Sequence, residues 1–156
     1  MNSLHTYEPA CKDSLGKFEI EREEAYKQMM RKELQQEIKR RDDLLIEHYP
    51  RNCPICQGKL YAHGKTSTLR YLAVCGEVKI RLKRLYCTFC NHIVVPSRFL
   101  IPKKSISAPL AERMCDLASK IPYKKAAASM AVQHSIKIST KRFWAVIQAE
   151  ATLIGG

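Results

Sequence analysis

Acidic residues nearly disappear from the last two thirds of this 156-residue chain. After residue 48 only Glu77, Glu112, Asp116 and Glu150 are acidic against 18 Lys+Arg, a net of +14, whereas residues 1–48 carry 11 acids and nine bases, a net of −2. A segment so one-sided repels itself unless something anionic binds it, and it has the footprint that phosphate binding requires. Long apolar runs are also missing. The longest weakly polar stretch, Ala126 to Val132, falls far short of the roughly 20 residues a membrane-spanning helix needs. The opening MNSLHTYEPACKDSLG has neither the apolar core nor the small-residue cleavage site of a secretory signal, so a cytoplasmic location and no membrane partner are expected. With 27% charged and 46% hydrophobic residues the composition is that of a globular protein, which excludes wholesale disorder and fibrous repeats. The length allows one modest core or two small modules.

What is present changes its hydrophobic period twice. Residues 17–48 contain no Gly or Pro, and Tyr26, Met30, Leu34, Ile38 and Leu45 recur at helical spacing, predicting a long amphipathic helix that ends at Tyr49-Pro50. Pairs such as Glu23 with Lys27 and Glu37 with Arg41 support it at i,i+4. The apolar stripe suits either packing on the chain's own core or a short dimerising seam through 17–48. Residues 51–102 turn to strand character. Val78, Ile80 and Leu82 alternate with Lys79, Arg81 and Lys83, and a β-prone run from Thr68 to Cys75 precedes them, predicting a hairpin that turns at Cys75-Gly76-Glu77. Its outer face would carry Arg70, Lys79, Arg81 and Lys83 as a basic ribbon. From Ser107 the helical period returns. Ser107 caps a helix with Pro109 in its first turn and Leu110, Met114, Leu117 and Ile121 as its stripe. An Ala-rich helix follows from Tyr123 to about Ala131, and Ser139 caps a third from Thr140 to about Thr152, with Phe143, Val146 and Ile147 facing inward.

Two pairs of cysteines carry the sharpest chemical signal. Cys53-Pro-Ile-Cys56 and Cys87-Thr-Phe-Cys90 each place two thiols on one tight knuckle, and together they supply the four soft ligands of a tetrahedral, structural Zn²⁺ site. The long gap between the pairs is accounted for by a hairpin that brings its own ends together. A redox CxxC is the alternative for either pair alone. His63 and His92 are near enough to compete as ligands, but four thiols leave them as loop or surface residues. Cys11, Cys75 and Cys115 stand alone; Cys115 reads as a helix core residue and Cys75 as part of the hairpin.

The last two helices read as a helix-turn-helix, whose second helix enters the major groove and reads bases from its N-terminal half. Lys141, Trp144 and Gln148 fall on one side of that helix, with Thr140 and Arg142 beside them. Gln can read adenine, Lys guanine and Arg phosphate. Lys124 and Lys125, at the start of the preceding helix, suit contacts to the DNA backbone. The alternative is a plain helical hairpin with Trp144 in its core. No enzyme constellation is visible: the carboxylates of the basic part are scattered, and neither a Gly-rich phosphate loop nor a Ser/His/Asp arrangement occurs.

The run CPICQGKLYAHGKTSTLRYLAVCGEVKIRLKRLYCTFCNHIVVP, followed by an S-x-P-L-A-E helix, Y-K-K-A-A and I-K-I-S-T-K-R-F, resembles the N-terminal region of bacterial insertion-sequence transposases of the ISKra family, over about residues 53–150. The resemblance implies a region that binds the terminal inverted repeats of a transposon. It implies Cys53, Cys56, Cys87 and Cys90 as zinc ligands, and Thr140, Lys141 and Arg142 as the opening of a recognition helix. In such transposases an RNase H-like catalytic domain follows, so a chain ending at Gly156 looks like a truncated or split transposase that binds DNA without cutting it.

The expectation is therefore an α+β protein in three parts: a helix and possible dimerisation element at 1–50, a zinc ribbon with a basic β-hairpin at 51–104, and a three-helix, helix-turn-helix-like unit at 105–156. The expected partner is double-stranded DNA at transposon ends, and no catalysis is expected. The rival expectation is a zinc-stabilised interaction or regulatory adaptor without sequence-specific DNA binding. RNA binding through the basic ribbon is disfavoured, because the aromatics are not laid out as a stacking platform.

Overall fold

The computed structural model describes residues 14–155 and is α+β. Helix α1 (Ser14–His48) is followed by the strands β1 (Leu60–Ala73) and β2 (Gly76–Cys87), the short β3 (Ile93–Val94), and a 3-10 turn (Pro96–Leu100). Helices α2 (Ala108–Ala118), α3 (Tyr123–His134) and α4 (Thr140–Gly155) close the order. The three strands form one antiparallel sheet in sequence order. Among the described residues no helix is long and apolar enough to cross a membrane. Cys11 lies outside the described residues.

The hairpin turns one residue earlier than its composition suggested. Ala73 pairs with Gly76, so Val74 and Cys75 form a two-residue loop. Gly76 sits at φ +121, and a Cβ there would lie 2.9 Å from the Arg31 guanidinium, so only glycine fits this turn. Farther down, Ala62 faces Leu85 and Thr66 faces Lys83, leaving residues 63–65 as a bulge opposite Arg84 alone.

How α1 meets this sheet organises the molecule. The period of two in β2 turns Val78, Ile80 and Leu82 to one face and Leu85 and Cys87 to the other. The first set packs with Leu34 and Ile38 of α1 and with Val95, Leu100 and Ile101; the second packs with Ile46 of the same helix, Cys53 and Leu60. The helix therefore crosses the outer edge of β2 and serves both faces. It also covers that edge: Gln35 donates to the Lys79 carbonyl at 2.8 Å, and the Lys83 amide donates to Asp42 at 3.0 Å. Such unpaired edge groups would otherwise be a template for aggregation.

Asp42 lies at the crossing. It is 2% exposed, and its second oxygen accepts from the Ser97 hydroxyl at 2.5 Å, tying the 3-10 segment to the helix as well. The packed stripe is thus Leu34, Ile38, Asp42 and Ile46, which corrects the expected one. Tyr26 and Met30 are exposed. A stripe counted in apolar residues alone misses a buried carboxylate whose partners are distant in sequence. The outward pairs form as expected, Glu23 with Lys27 at 3.2 Å and Glu37 with Arg41 at 3.0 Å.

The C-terminal helices have their own core of Leu110, Met114, Ala126, Met130, Ile136, Phe143 and Val146, joined to the hairpin by Leu72 and Ile106. Leu72 donates to Ser105 O at 2.9 Å and accepts from the Ser107 amide at 2.8 Å, so the chain leading into α2 adds a short parallel bridge beside β1. Ser107 then caps α2 by accepting from the Leu110 amide, and Ser139 caps α4 by accepting from the Arg142 amide. Helix α2 ends at Ala118, so Ile121 reaches the core from beyond it. Cys75 is buried at the turn and Cys115 is half-buried on α2, and burial raises both thiols.

Removing the Asp42 carboxylate leaves two donors without an acceptor, each costing roughly 1–3 kcal/mol. Asp42→Ala is accordingly expected to lower the urea midpoint sharply with an unchanged denaturant slope, and Asp42→Asn, which keeps one acceptor, to lower it less.

Candidate metal centre and nucleic-acid interface

The hairpin brings the two knuckles together. The Sγ atoms of Cys53, Cys56, Cys87 and Cys90 all lie within 4.8 Å of one another, with Cys53 and Cys90 3.5 Å apart and Cys56 and Cys87 3.4 Å apart. Ligands on bonds of about 2.3 Å around a tetrahedral ion are about 3.8 Å apart, so this cluster is a fitting cage for a metal ion.

The two knuckles repeat one backbone pattern. Cys53 N–H donates to Gly58 O and Gln57 N–H to Cys53 O, just as Cys87 N–H donates to His92 O and Asn91 N–H to Cys87 O. Gln57 and Asn91 hold the equivalent left-handed position, at φ 65 and 61. Amides of the first knuckle also point at sulfur, from Ile55 to Cys53 and from Gly58 to Cys56, each at 3.4 Å. Gly58 is fixed by crowding, because a Cβ there would meet the Cys56 and Cys87 sulfurs at 3.1 Å. From sequence Gly58 stands out only as punctuation of the strand segment, and Gln57 and Asn91 do not stand out; the recurring C-x-x-C-x-[GH] is the signal that holds all three.

The knuckle amides and the crowding of the thiols pull the four cysteines' acidities apart. Amide donation from Cys56, aided by Ile55 and outweighing burial, holds the Cys53 thiol down at about 7. At Cys56 the Gly58 amide pulls the same way, but the Cys87 thiol, burial and the other two thiols oppose it, and the group is pushed up to about 12. The second knuckle repeats the division: the Cys90 amide, outweighing burial, holds the Cys87 thiol down, whereas at Cys90 the pull of the His92 amide is outweighed by burial and the Cys53 and Cys87 thiols, which push it up. His92 serves as a backbone acceptor of the second knuckle, and His63 lies outside the residues whose side chains are described.

The expected ribbon residues do share one face, since Arg70 pairs with Lys79 and Thr68 and Thr66 pair with Arg81 and Lys83. Their charges are not equally available. Arg70 is 3.6 Å from Glu77, and Lys83 is 2.7 Å from Asp43, whose carboxyl it holds below the usual range by hydrogen bonding. Lys79 and Arg81 are exposed, with no ion pair among the described residues. The pairing of Lys83 could not be read from sequence, because Asp43 arrives on α1.

On α4, Phe143 and Val146 are buried, and Thr140, Lys141, Arg142, Trp144 and Gln148 are exposed. Trp144 is 51% exposed, so the alternative that placed it in the core is set aside. Lys124 and Lys125 are exposed in the first turn of α3. Lys124, Lys137, Ser139 and Thr140 line one groove with Ala127, Ala128, Ala131 and Ile138 between α3 and α4, and no acid lines it. Lys137 was not singled out from sequence, although a lysine just before an N-cap is the place to look.

No protein-family model, no curated protein and no solved structure matches this chain.

Adding a methyl group at Gly58 should press on two of the four sulfurs. Gly58→Ala is expected to fold with at least tenfold weaker metal retention in a competition titration with a chromogenic chelator, in line with what supporting residues contribute to metal sites.

Proposed function

We propose that the cysteine cage holds a structural Zn²⁺ and that the chain binds duplex DNA, with α3 and α4 acting as a helix-turn-helix. Four thiolates favour zinc over harder ions and leave no open position for a reacting water. Zinc would join the two ends of the hairpin, which a basic β segment of this size has too little core to hold closed unaided. The observation that carries the DNA reading is the division of α4. Its buried side holds Phe143 and Val146, while its exposed first turn meets the acid-free groove lined by Lys124, Lys137 and Thr140. A helix N-terminus with such neighbours suits phosphate, leaving Lys141 and Gln148 to face bases. The resemblance to ISKra transposases supports transposon ends as the DNA.

Strand cleavage is assigned no residues. Phosphoryl transfer by two metals needs converging carboxylates. Glu77 is occupied by Arg70, and Asp116 lies 3.1 Å from Lys120. A second reading, self-association through α1, is favoured by Leu15, Phe18, Tyr26 and Met29, which are exposed and recur on the side of the helix away from Ile38. Two copies would then present two recognition helices to paired half-sites.

Elemental analysis should give about one zinc per chain, with strong chelators melting the sheet. If about six phosphates are neutralised, log K against log salt should slope near −5. Lys79→Ala and Arg81→Ala should weaken all duplexes alike, and Lys141→Ala or Gln148→Ala should relax sequence preference. Equal affinity for every duplex and for heparin would reduce the reading to a charge effect. The pure protein should not nick an inverted-repeat duplex with Mg²⁺ or Mn²⁺.

A further inference from the structure

The sheet assembles a row of side chains that the duplex reading does not use. Tyr61 pairs with Tyr86, and Tyr86 with Ile93, so the three lie side by side across β1, β2 and β3. Leu60, Leu85 and Cys87 turn to the opposite face, where they are buried with Ile46. The row faces outward, with Tyr61 41% and Ile93 47% exposed and Tyr86 half-buried between them. The two rings are 6.1 Å apart at 44°. An aromatic row of this kind is absent from the linear sequence, because residues 61 and 86 meet only through the register.

The charge around the row selects its occupant. Residues 51–104 hold 11 Lys+Arg and a single acid, Glu77, which lies at the other end of the hairpin beside Arg70. Lys59 holds its ammonium 5.3 Å from the centre of the Tyr61 ring, on a face that a base could take. Arg84 is two residues before Tyr86 and so on the same side of β2, and its Nε is buried without a hydrogen-bond partner. Apolar and aromatic groups among unopposed cations fit a ligand that has flat rings joined by phosphates.

We propose that the Tyr61–Tyr86–Ile93 face binds unpaired nucleobases of a single-stranded nucleic acid, distinct from the duplex site proposed on α4. A base stacks on Tyr61, Lys59 leaves the ring for the adjoining phosphate, and Tyr86 and Ile93 carry the next base. Recognition by stacking needs no particular sequence, because every base has a π-face.

Fluorescence anisotropy with the full chain tests this, using oligo(dT), oligo(U) and polyphosphate. Strands of about eight nucleotides suffice. Tyr61→Ala is expected to weaken oligonucleotide binding about tenfold, with Tyr61→Phe close to wild type and polyphosphate binding unchanged. Tyr61→Leu, which keeps apolar bulk without the ring, should resemble Tyr61→Ala, so a folding defect cannot imitate the result. Lys141→Ala should spare oligo(dT) binding while weakening duplex binding, which separates this site from that on α4. Relative affinity for oligo(dT) and oligo(U) identifies DNA or RNA as the source of the strand. No binding of either strand by the wild-type protein, or equal binding by wild type and Tyr61→Ala, overturns the proposal.

Discussion

The outer edge of β2 is the constraint on which the rest of the structure depends. A twelve-residue strand with only two residues of β3 beside it would leave most of one row of peptide groups unpaired. Helix α1 resolves this by crossing the edge, with Gln35 and Asp42 reaching the backbone of Lys79 and Lys83. Because the crossing is diagonal, one helix seals an apolar cluster on each face, with Ile38 in one and Ile46 in the other. A charge can sit at the crossing only because its hydrogen bonds are complete, and Asp42 has the Lys83 amide and the Ser97 hydroxyl.

The hairpin tip joins this assembly to the C-terminal helices. Arg31 of α1 donates to Cys75 O at 2.6 Å, and Lys27 donates to Gln133 O at 2.8 Å near the end of α3. His134 Nδ1 lies 2.9 Å from Val74 O; since a carbonyl only accepts, that nitrogen carries the proton. The Ser135 hydroxyl donates to Glu24. A lysine at the carboxyl end of a helix also meets the negative end of its dipole. These contacts fix the turn between α1 and α3, so the cage at one end of the hairpin and the helical unit at the other are parts of one connected scaffold.

That scaffold distributes the basic charge unequally. Where α1 lies near the ribbon it brings acids, and Asp43 neutralises Lys83. Where the hairpin continues toward the cage, cations remain beside aromatic side chains, and where α3 meets α4 they line a groove free of acids. The two proposed nucleic-acid surfaces therefore differ in chemistry. One offers a helix end and hydrogen-bonding side chains, the other rings and ammonium groups.

Much of the architecture was legible from local pattern. The paired CxxC knuckles identified the four thiols that cluster, Ser107 and Ser139 marked the helix starts, and alternation along Val78–Lys83 gave the inward and outward sides of β2. These signals are read within a few residues, where backbone geometry alone dictates spacing. Three things required the tertiary structure: the stripe of α1, whose central member is a buried aspartate satisfied by residues 41 and 55 positions away; the neutralisation of Lys83 by a helix that the sequence left free to dimerise; and the meeting of Tyr61 with Tyr86. Each depends on register or on a crossing between distant segments. Side chains far apart in sequence acquire a common environment only when the backbone between them closes, and no local period records where that happens.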